Sequence, residues 1–223
     1  MRQCSDKQME WESIASSEID PGKQVLRPFD REQWSLLVTE IIEKLELNSE
    51  NLSFLDVGCG NGYLTAFFQS KIGYVAGVDF SPSMISEAKK NIPHGHFSVG
   101  NATNLEFDDN QFDRVLCYSI FHYFDSDKQV FDALDEICRV AKKGGQILIG
   151  DLLDKSMENE VKSSSDKMIE GQLPTIKRYS EWWFVDLSAV LNHLQDRVEK
   201  VKLVDQNNGF ATSAYRKDLK IWV

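Results

Sequence analysis

The chain has no apolar run approaching the roughly 20 residues that a bilayer-spanning helix needs. Its first residues, Met1 to Glu12, are polar and mixed in charge and lack the apolar core of a secretory signal. Basic residues are in deficit, with 25 Lys and Arg against 35 Asp and Glu for a net charge of −10. Binders of nucleic acid or anionic membrane draw much of their affinity from a basic face. Lys89-Lys90 and Lys142-Lys143 are only short pairs, each near the expected end of a helix, where cations suit the helix dipole. The four cysteines, at 4, 59, 117 and 138, show neither C-x-x-C nor metal-ligand spacing. They read as small, mostly buried hydrophobes in a reducing compartment. His94, His96 and His193 are scattered and form no metal constellation with nearby acids, and no segment repeats. These absences point to a soluble cytoplasmic protein with no metal site, no nucleic-acid partner and no membrane segment.

What is present fits one ordinary domain. The chain has 223 residues, 42% apolar and 27% charged, enough to fill a single core. Residues 1–29 read as irregular but packed on the domain, with Trp11, Pro21-Gly22 and Pro28 as landmarks. Asp30 and Gln33 stand at capping-box spacing before the stripe Trp34, Leu37, Val38, Ile41, Ile42 and Leu45. From about Leu52 onward, short apolar strands alternate with amphipathic helices. The first helix spans Tyr63 to about Lys71 and is closed by Gly73; the next starts at the Ser81-Pro82 cap. A later helix is capped by Asp125 or Asp127 and ended by Gly144-Gly145. Residues 154–179 read as a polar surface insertion. A helix through Leu187 to Leu194 follows, and the strands 198–204 and 218–223 pair antiparallel. The expected fold is α/β: a mostly parallel sheet with helices on both faces. Its parts are 1–48 as N-terminal cap and helix, 50–152 as core, and 153–223 as insertion, helix and closing strand pair.

The core is organised around Phe54-Leu-Asp-Val-Gly-Cys-Gly-Asn-Gly-Tyr63, a strand ending in an acid and then a glycine loop opening a helix. The glycines at 58, 60 and 62 give G-x-G-x-G, whereas the dinucleotide fingerprint needs its third glycine where Tyr63 stands. Asp79 closes the following strand, 17 residues beyond Gly62. Strand carboxyl ends at a switch point form the ligand crevice of an open α/β sheet. There a carboxylate at Asp79 can accept both hydroxyls of a ribose, while Asp56 can orient the loop or meet a cationic amine.

Taken together, Asp56-Val-Gly-Cys-Gly-Asn-Gly62, Gly77-Val-Asp79, Gly100-Asn-Ala102, Phe112-Asp113 and Gly144-Gly-Gln-Ile-Leu148 resemble the class I S-adenosylmethionine-dependent methyltransferases, in particular their small-molecule "type 11" branch. The resemblance covers about residues 50–152. It implies a Rossmann-like sheet of seven strands with the last antiparallel, and S-adenosylmethionine as cofactor. It further implies that Gly58, Gly60 and Gly62 wrap the methionine moiety and that Asp79 holds the ribose. Phe80 would lie against the adenine, Asn101 or Ala102 would meet its edge, and Tyr118 with Ser119 would close the methionine side. The family usually has aspartate where Asn101 stands; an asparagine oxygen can still accept from the adenine amino group.

The cofactor's methyl is already electrophilic, so the protein must mainly align a nucleophile and exclude water. A hydroxyl acceptor benefits from a general base, and His122, at the lip of the crevice, is the best candidate, ahead of Tyr123 and Asp151. Trp11, Tyr123, Trp182 and Trp183, with Tyr179 and Arg27, are candidate walls for the acceptor; Arg27 could meet a carboxylate of cofactor or substrate, with a surface arginine as the preferred reading. The expected activity is methyl transfer to an oxygen or nitrogen of a small molecule, such as a sugar or secondary-metabolite precursor, by a monomer or homodimer. A non-catalytic cofactor-binding subunit is the alternative. A nicotinamide oxidoreductase is disfavoured by Tyr63.

Overall fold

In a computed structural model, which describes residues 3–27, 29–164 and 166–223, the glycine-loop strand is an inner strand of a seven-stranded sheet. The strands are β1 (Ser49–Val57), β2 (Ile72–Asp79), β3 (His96–Val99), β4 (Phe112–Tyr118), β5 (Ala141–Leu153), β6 (Lys200–Asp205) and β7 (Arg216–Trp222). The helices are α1 (Gln3–Ser17), α2 (Pro21–Gln24), α3 (Arg31–Leu45), α4 (Tyr63–Ala66), α5 (Pro82–Asn91), α6 (Asp127–Val140), α7 (Glu158–Ser164), α8 (Lys167–Glu170) and α9 (Leu187–Leu194). The strand order is β3-β2-β1-β4-β5-β7-β6, with β1 to β5 parallel and β7 antiparallel to both neighbours. This is the Rossmann-like sheet expected from the sequence, including its closing antiparallel pair. Pro28 and Ser165 lie outside the described residues, as does the side chain of Cys4.

Strand periodicity sorts the core into two layers, because alternate side chains leave opposite faces of a sheet. Leu55, Val57, Val115, Cys117, Ile147 and Ile149 pack against Val130, Leu134 and Ile137 of α6 and against Val190 and Leu194 of α9. The intervening Phe54, Leu116 and Leu148 pack on the other side against Leu37, Ile41 and Leu45 of α3 and Ile85 and Ala88 of α5. Both faces are covered, so the buried stretches Phe54-Leu55, Val115-Leu116-Cys117 and Ile147-Leu148-Ile149 run apolar without alternation. Asp30 caps α3 with a full capping box: its carboxylate accepts from Gln33 N at 2.8 Å, and the Gln33 side chain accepts from Asp30 N at 3.1 Å. Ser81 caps α5, with Pro82 in the first turn.

Several boundaries differ from the sequence reading. Residues 1–29 are not irregular, since α1 and α2 occupy most of them. Gly73 does not end a helix. It lies inside β2, where a Cβ would stand 1.8 Å from the Glu50 carbonyl oxygen, so close strand approach is what requires glycine. α4 is a single turn, followed by a 3₁₀ turn at Gln69–Lys71. The α6 cap is Ser126, between the two aspartates proposed for that role, and its hydroxyl accepts from Gln129 N. Gly144-Gly145 lies within β5 rather than ending α6, with Gly144 at φ +76°. The 154–179 segment contains α7, α8 and short 3₁₀ turns. No described helix is long and apolar enough to cross a membrane.

Candidate active site

The carboxyl ends of β1, β2, β4 and β5 open into a cavity of about 610 Å³, of the size that holds small-molecule ligands. It lies over the point where chain order turns from β1 outward to β2 on one side and to β4 on the other.

One end of the cavity is backbone and carboxylate. Gly58 and Gly60, at φ +78° and +53°, line it. A Cβ on Gly58 would strike Ile120 at 2.4 Å, whereas one on Gly60 would meet no atom within 4 Å, so Gly60 leaves open space for a ligand. Gly62 does not line the cavity. It stands at the start of α4, where its added Cβ would touch Ala88 at 3.4 Å, a packing position between α4 and α5. Asp79 accepts from Gly60 N and Ser81 N, each at 2.9 Å and each on a different carboxylate oxygen. Burial pushes its pKa up to about 6, against the pull of these N–H bonds. Asp56, buried beneath, is pushed up to about 7 by burial although Thr65 donates to it. Phe80 and Ala102 line the same end. Asn101 lines it too, but its Oδ1 accepts from Thr103 N and Oγ1, both at 3.0 Å. The expected acceptor atom is therefore engaged within its own loop, and the amide NH₂ is the end left for a ligand.

The other end is aromatic and cationic. Asp151, 1% exposed at φ +67°, accepts on one oxygen from Ser119, Arg216 and Arg27, the last at 2.6 Å. Burial opposes its charge, yet Arg216 and Arg27 together hold its carboxyl far below the usual range. Its backbone N–H donates to Asp218, and Gln206 Nε2 donates to Asp218 at 2.9 Å and to the Tyr118 hydroxyl at 3.2 Å. Arg27, read from the sequence as a surface residue, is instead half-buried, with its guanidinium over the Phe29 and Tyr118 rings. The His122 side chain is buried, with its ring 4.1 Å from Tyr123 and 4.7 Å from Trp182. Its Nδ1 has no partner, and burial, helped by Arg216, pushes its pKa down to about 3. Trp11 packs edge-on against Tyr123, and Tyr179 against Trp182. Trp183 is not part of the lining: its indole donates to Asp127 at 3.3 Å and its backbone N–H to the His122 carbonyl.

α1 roofs the site with polar anchors. Lys7 donates to the Tyr123 carbonyl and to Asp125, both at 2.6 Å, and Gln8 to the Phe80 carbonyl at 2.8 Å. Glu10 accepts from Thr175 N and Ile176 N, and Glu12 from Ser81 and Ser83. Asn61, fully buried, ties the glycine loop to Pro21 and Gln24. These anchors, with Arg216 and Gln206, were absent from the sequence-based candidates; isolated polar residues outside the core motifs carry no pattern that would mark them.

The donor and acceptor inventory fits an adenosyl cofactor. Each Asp79 oxygen has satisfied one backbone N–H and keeps a lone pair for a hydroxyl, and the side-chain-free loop allows close approach.

Fold and site together define a doubly wound sheet with a glycine- and carboxylate-lined crevice at its switch point. Residues 55–149 match the family model described as a methyltransferase domain. The chain is 34% identical over 123 residues to the demethylmenaquinone methyltransferase of Thermotoga maritima, covering 54% of this chain and 51% of that protein. It spans about half the length of the curated relatives it matches. The N-methyltransferase NodS from Bradyrhizobium japonicum WM9, solved with S-adenosyl-L-homocysteine, aligns with a TM-score of 0.69 at 15% identity, covering 97% of each chain. A methyltransferase in complex with the Trm112 activator of Haloferax volcanii aligns with a TM-score of 0.68 at 18% identity, covering 95% and 97%. Identities this low speak for the fold alone. Over residues 55–149 the chain is thus similar to methyltransferase domains, and it shares its fold with solved methyltransferases.

Proposed function

We propose that the protein transfers the methyl group of S-adenosylmethionine to an oxygen or nitrogen of a small molecule. The observation that carries this reading is one continuous cavity, in which a glycine and carboxylate cradle at one end runs into an aromatic chamber under α1. The bound cofactor supplies a methyl on a sulfonium, whose carbon–sulfur bond breaks as the acceptor's lone pair attacks.

In this reading Asp79 accepts the ribose hydroxyls and Phe80 lies against the adenine. Asn101 and Ala102 border its edge, with the Asn101 amide donating rather than accepting. Gly58 and Gly60 admit the methionine moiety beside Tyr118, while Gly62 secures the loop from behind. Asp56, next to the loop, favours a cationic amine. Trp11, Tyr123 and Trp182 enclose the acceptor and keep water out; Trp183 supports them from outside. His122 is neutral at ordinary pH, and its role is to accept a hydrogen bond from the attacking group. The cavity's modest size and the chain's acidic character favour a small acceptor over nucleic acid. The free thiols of Cys59, Cys117 and Cys138 suit the cytoplasm.

Incubation with methyl-labelled cofactor and metabolite fractions tests the proposal. A labelled product with stoichiometric S-adenosylhomocysteine is expected. Tight cofactor binding without turnover in any fraction would favour a non-catalytic subunit, and failure to bind the cofactor would refute both.

A further inference from the structure

The far end of the cavity holds more positive charge than it can neutralise. Arg27 and Arg216 share one oxygen of one carboxylate, Asp151, and all three line the cavity. The neighbouring Asp218 does not line it and is paired with Lys44 at 2.9 Å. Lys7 is matched by Asp125, whereas the lining residue Lys177 makes no ion pair among the described residues. A chain of net charge −10 thus sets two guanidiniums against one carboxylate at a buried bridge, with exposed Lys177 at the rim. Charges taken out of water without a full complement of partners are costly.

Two independent features mark this place as built for a ligand. Ser119 and Asp151, at the ends of neighbouring strands, both hold left-handed backbone, with φ of +62° and +67°. Such conformations in non-glycine residues cost free energy and gather at functional sites. In addition, Arg216 is 6% exposed and its Nε has no partner. Its guanidinium lies 5.2 Å above the Trp182 ring, with Tyr179 and Tyr123 completing a wall of flat surfaces.

We propose that the Arg27–Asp151–Arg216 bridge is the seat for a carboxylate on a flat aromatic acceptor, with Arg216 as the residue that selects the anion. The inference rests on the methyltransferase reading and narrows its substrate class. A monoanion matches the excess of one guanidinium over one carboxylate, and Trp182 and Tyr179 supply stacking faces for the ring. Arg27, over Tyr118, borders the cofactor end, so the competing occupant is the cofactor's own carboxylate.

The test uses protein saturated with S-adenosylhomocysteine and two probes, 4-hydroxybenzoate and its methyl ester, followed by tryptophan fluorescence. The acid should bind about tenfold or more tightly than the ester. Arg216→Gln should erase that preference and Arg216→Lys should keep part of it, both leaving S-adenosylhomocysteine affinity within about twofold of wild type. If Arg216→Gln fails to fold, the acid–ester comparison in the wild type and in Arg216→Lys decides. Equal binding of acid and ester by the wild type overturns the inference while leaving the methyltransferase reading intact. Loss of S-adenosylhomocysteine affinity in Arg216→Gln or Arg216→Lys also overturns it, because the seat then belongs to the cofactor. Wild-type protein that cannot bind S-adenosylhomocysteine removes both.

Discussion

Asp79 carries the sharpest expectation at the scale of single residues. Two backbone N–H groups already hold its oxygens in place, so the carboxylate is pre-organised for two more donors. Hydrogen bonds to a charged group contribute about 1.5–3 kcal/mol each. Asp79→Ala should therefore weaken cofactor binding by about 2–4 kcal/mol, roughly 30- to 1000-fold in calorimetry. Wild-type affinity in that variant would place the ribose elsewhere. His122 gives a different signature. With its pKa near 3, the imidazole stays deprotonated across the working range, so kcat at saturating cofactor should be flat in pH on the His122 account. His122→Ala should lower kcat about 10- to 100-fold with S-adenosylhomocysteine affinity unchanged; an acid limb near 6.5 in wild-type kcat would mean a solvated histidine instead. The place of Asp79, Gly58 and Gly60 at the cavity was legible in the sequence because their spacing is fixed by the loop they build, whereas Gly62, expected beside them, packs against Ala88 instead. Arg27 was misread, because a lone arginine between short helices has no sequence pattern to show that it turns inward to Asp151.

At the scale of elements, α3 and α5 were readable from their caps and α6 and α9 from apolar stripes alone, whose periodicity reflects the layer each helix covers. α1 was not, for a physical reason. No described side chain of α1 belongs to the buried core, and the helix is held by Lys7, Gln8, Glu10 and Glu12 instead of by an apolar face. Periodicity analysis finds helices that pack on a core and is blind to one that is pinned at its polar residues. Gly73 was misassigned for a related reason: close approach to Glu50 is a tertiary fact, while a glycine after an amphipathic stretch looks locally like a helix end. The polar pinning of α1 sets its energetics. Glu12 ties it to Ser81 and Ser83, beside the Asp79 carboxylate, so Glu12→Ala should loosen the roof over the cofactor end without opening the core. We expect S-adenosylhomocysteine affinity to fall about three- to thirtyfold while the melting temperature of the ligand-free protein moves by less than about 2 °C. A large loss of stability with unchanged affinity would show that α1 is structural rather than a roof.

For the molecule as a whole, the two buried acids of the cradle make stability, pH and cofactor binding one linked quantity. Folding raises Asp79 to about 6 and Asp56 to about 7, above the value of about 3.9 for an unfolded aspartate. A group raised on folding contributes its full stability below the unfolded pKa and loses it as pH climbs through the folded one. Ligand-free protein should therefore lose stability between about pH 4 and 7 from this pair. Asp113 works in the opposite sense: Lys142 and Ser53 overcome its partial burial and hold it near 2, so its contribution is lost only as pH falls from about 4 toward 2. His122, pushed down to about 3 by burial, opposes the acid pair: its contribution grows as pH rises from about 3 to 6.5, so the ligand-free profile is flatter than the pair alone would give. Hydroxyls donated to Asp79 and a cationic amine near Asp56 both favour the ionised carboxylates, so cofactor binding counteracts the high-pH loss. Affinity should rise with pH between 5 and 7.5, by up to about tenfold per unit for each carboxylate that must ionise, and binding near pH 6 should release protons. Because a ligand stabilises by RT ln(1 + [L]/Kd), the rise in melting temperature at fixed S-adenosylhomocysteine concentration should be larger at pH 7.5 than at pH 5. Scanning calorimetry at both pH values, with and without ligand, measures all of these terms. An increment that stays constant, or shrinks as pH rises, would mean that neither carboxylate changes its protonation when the cavity fills.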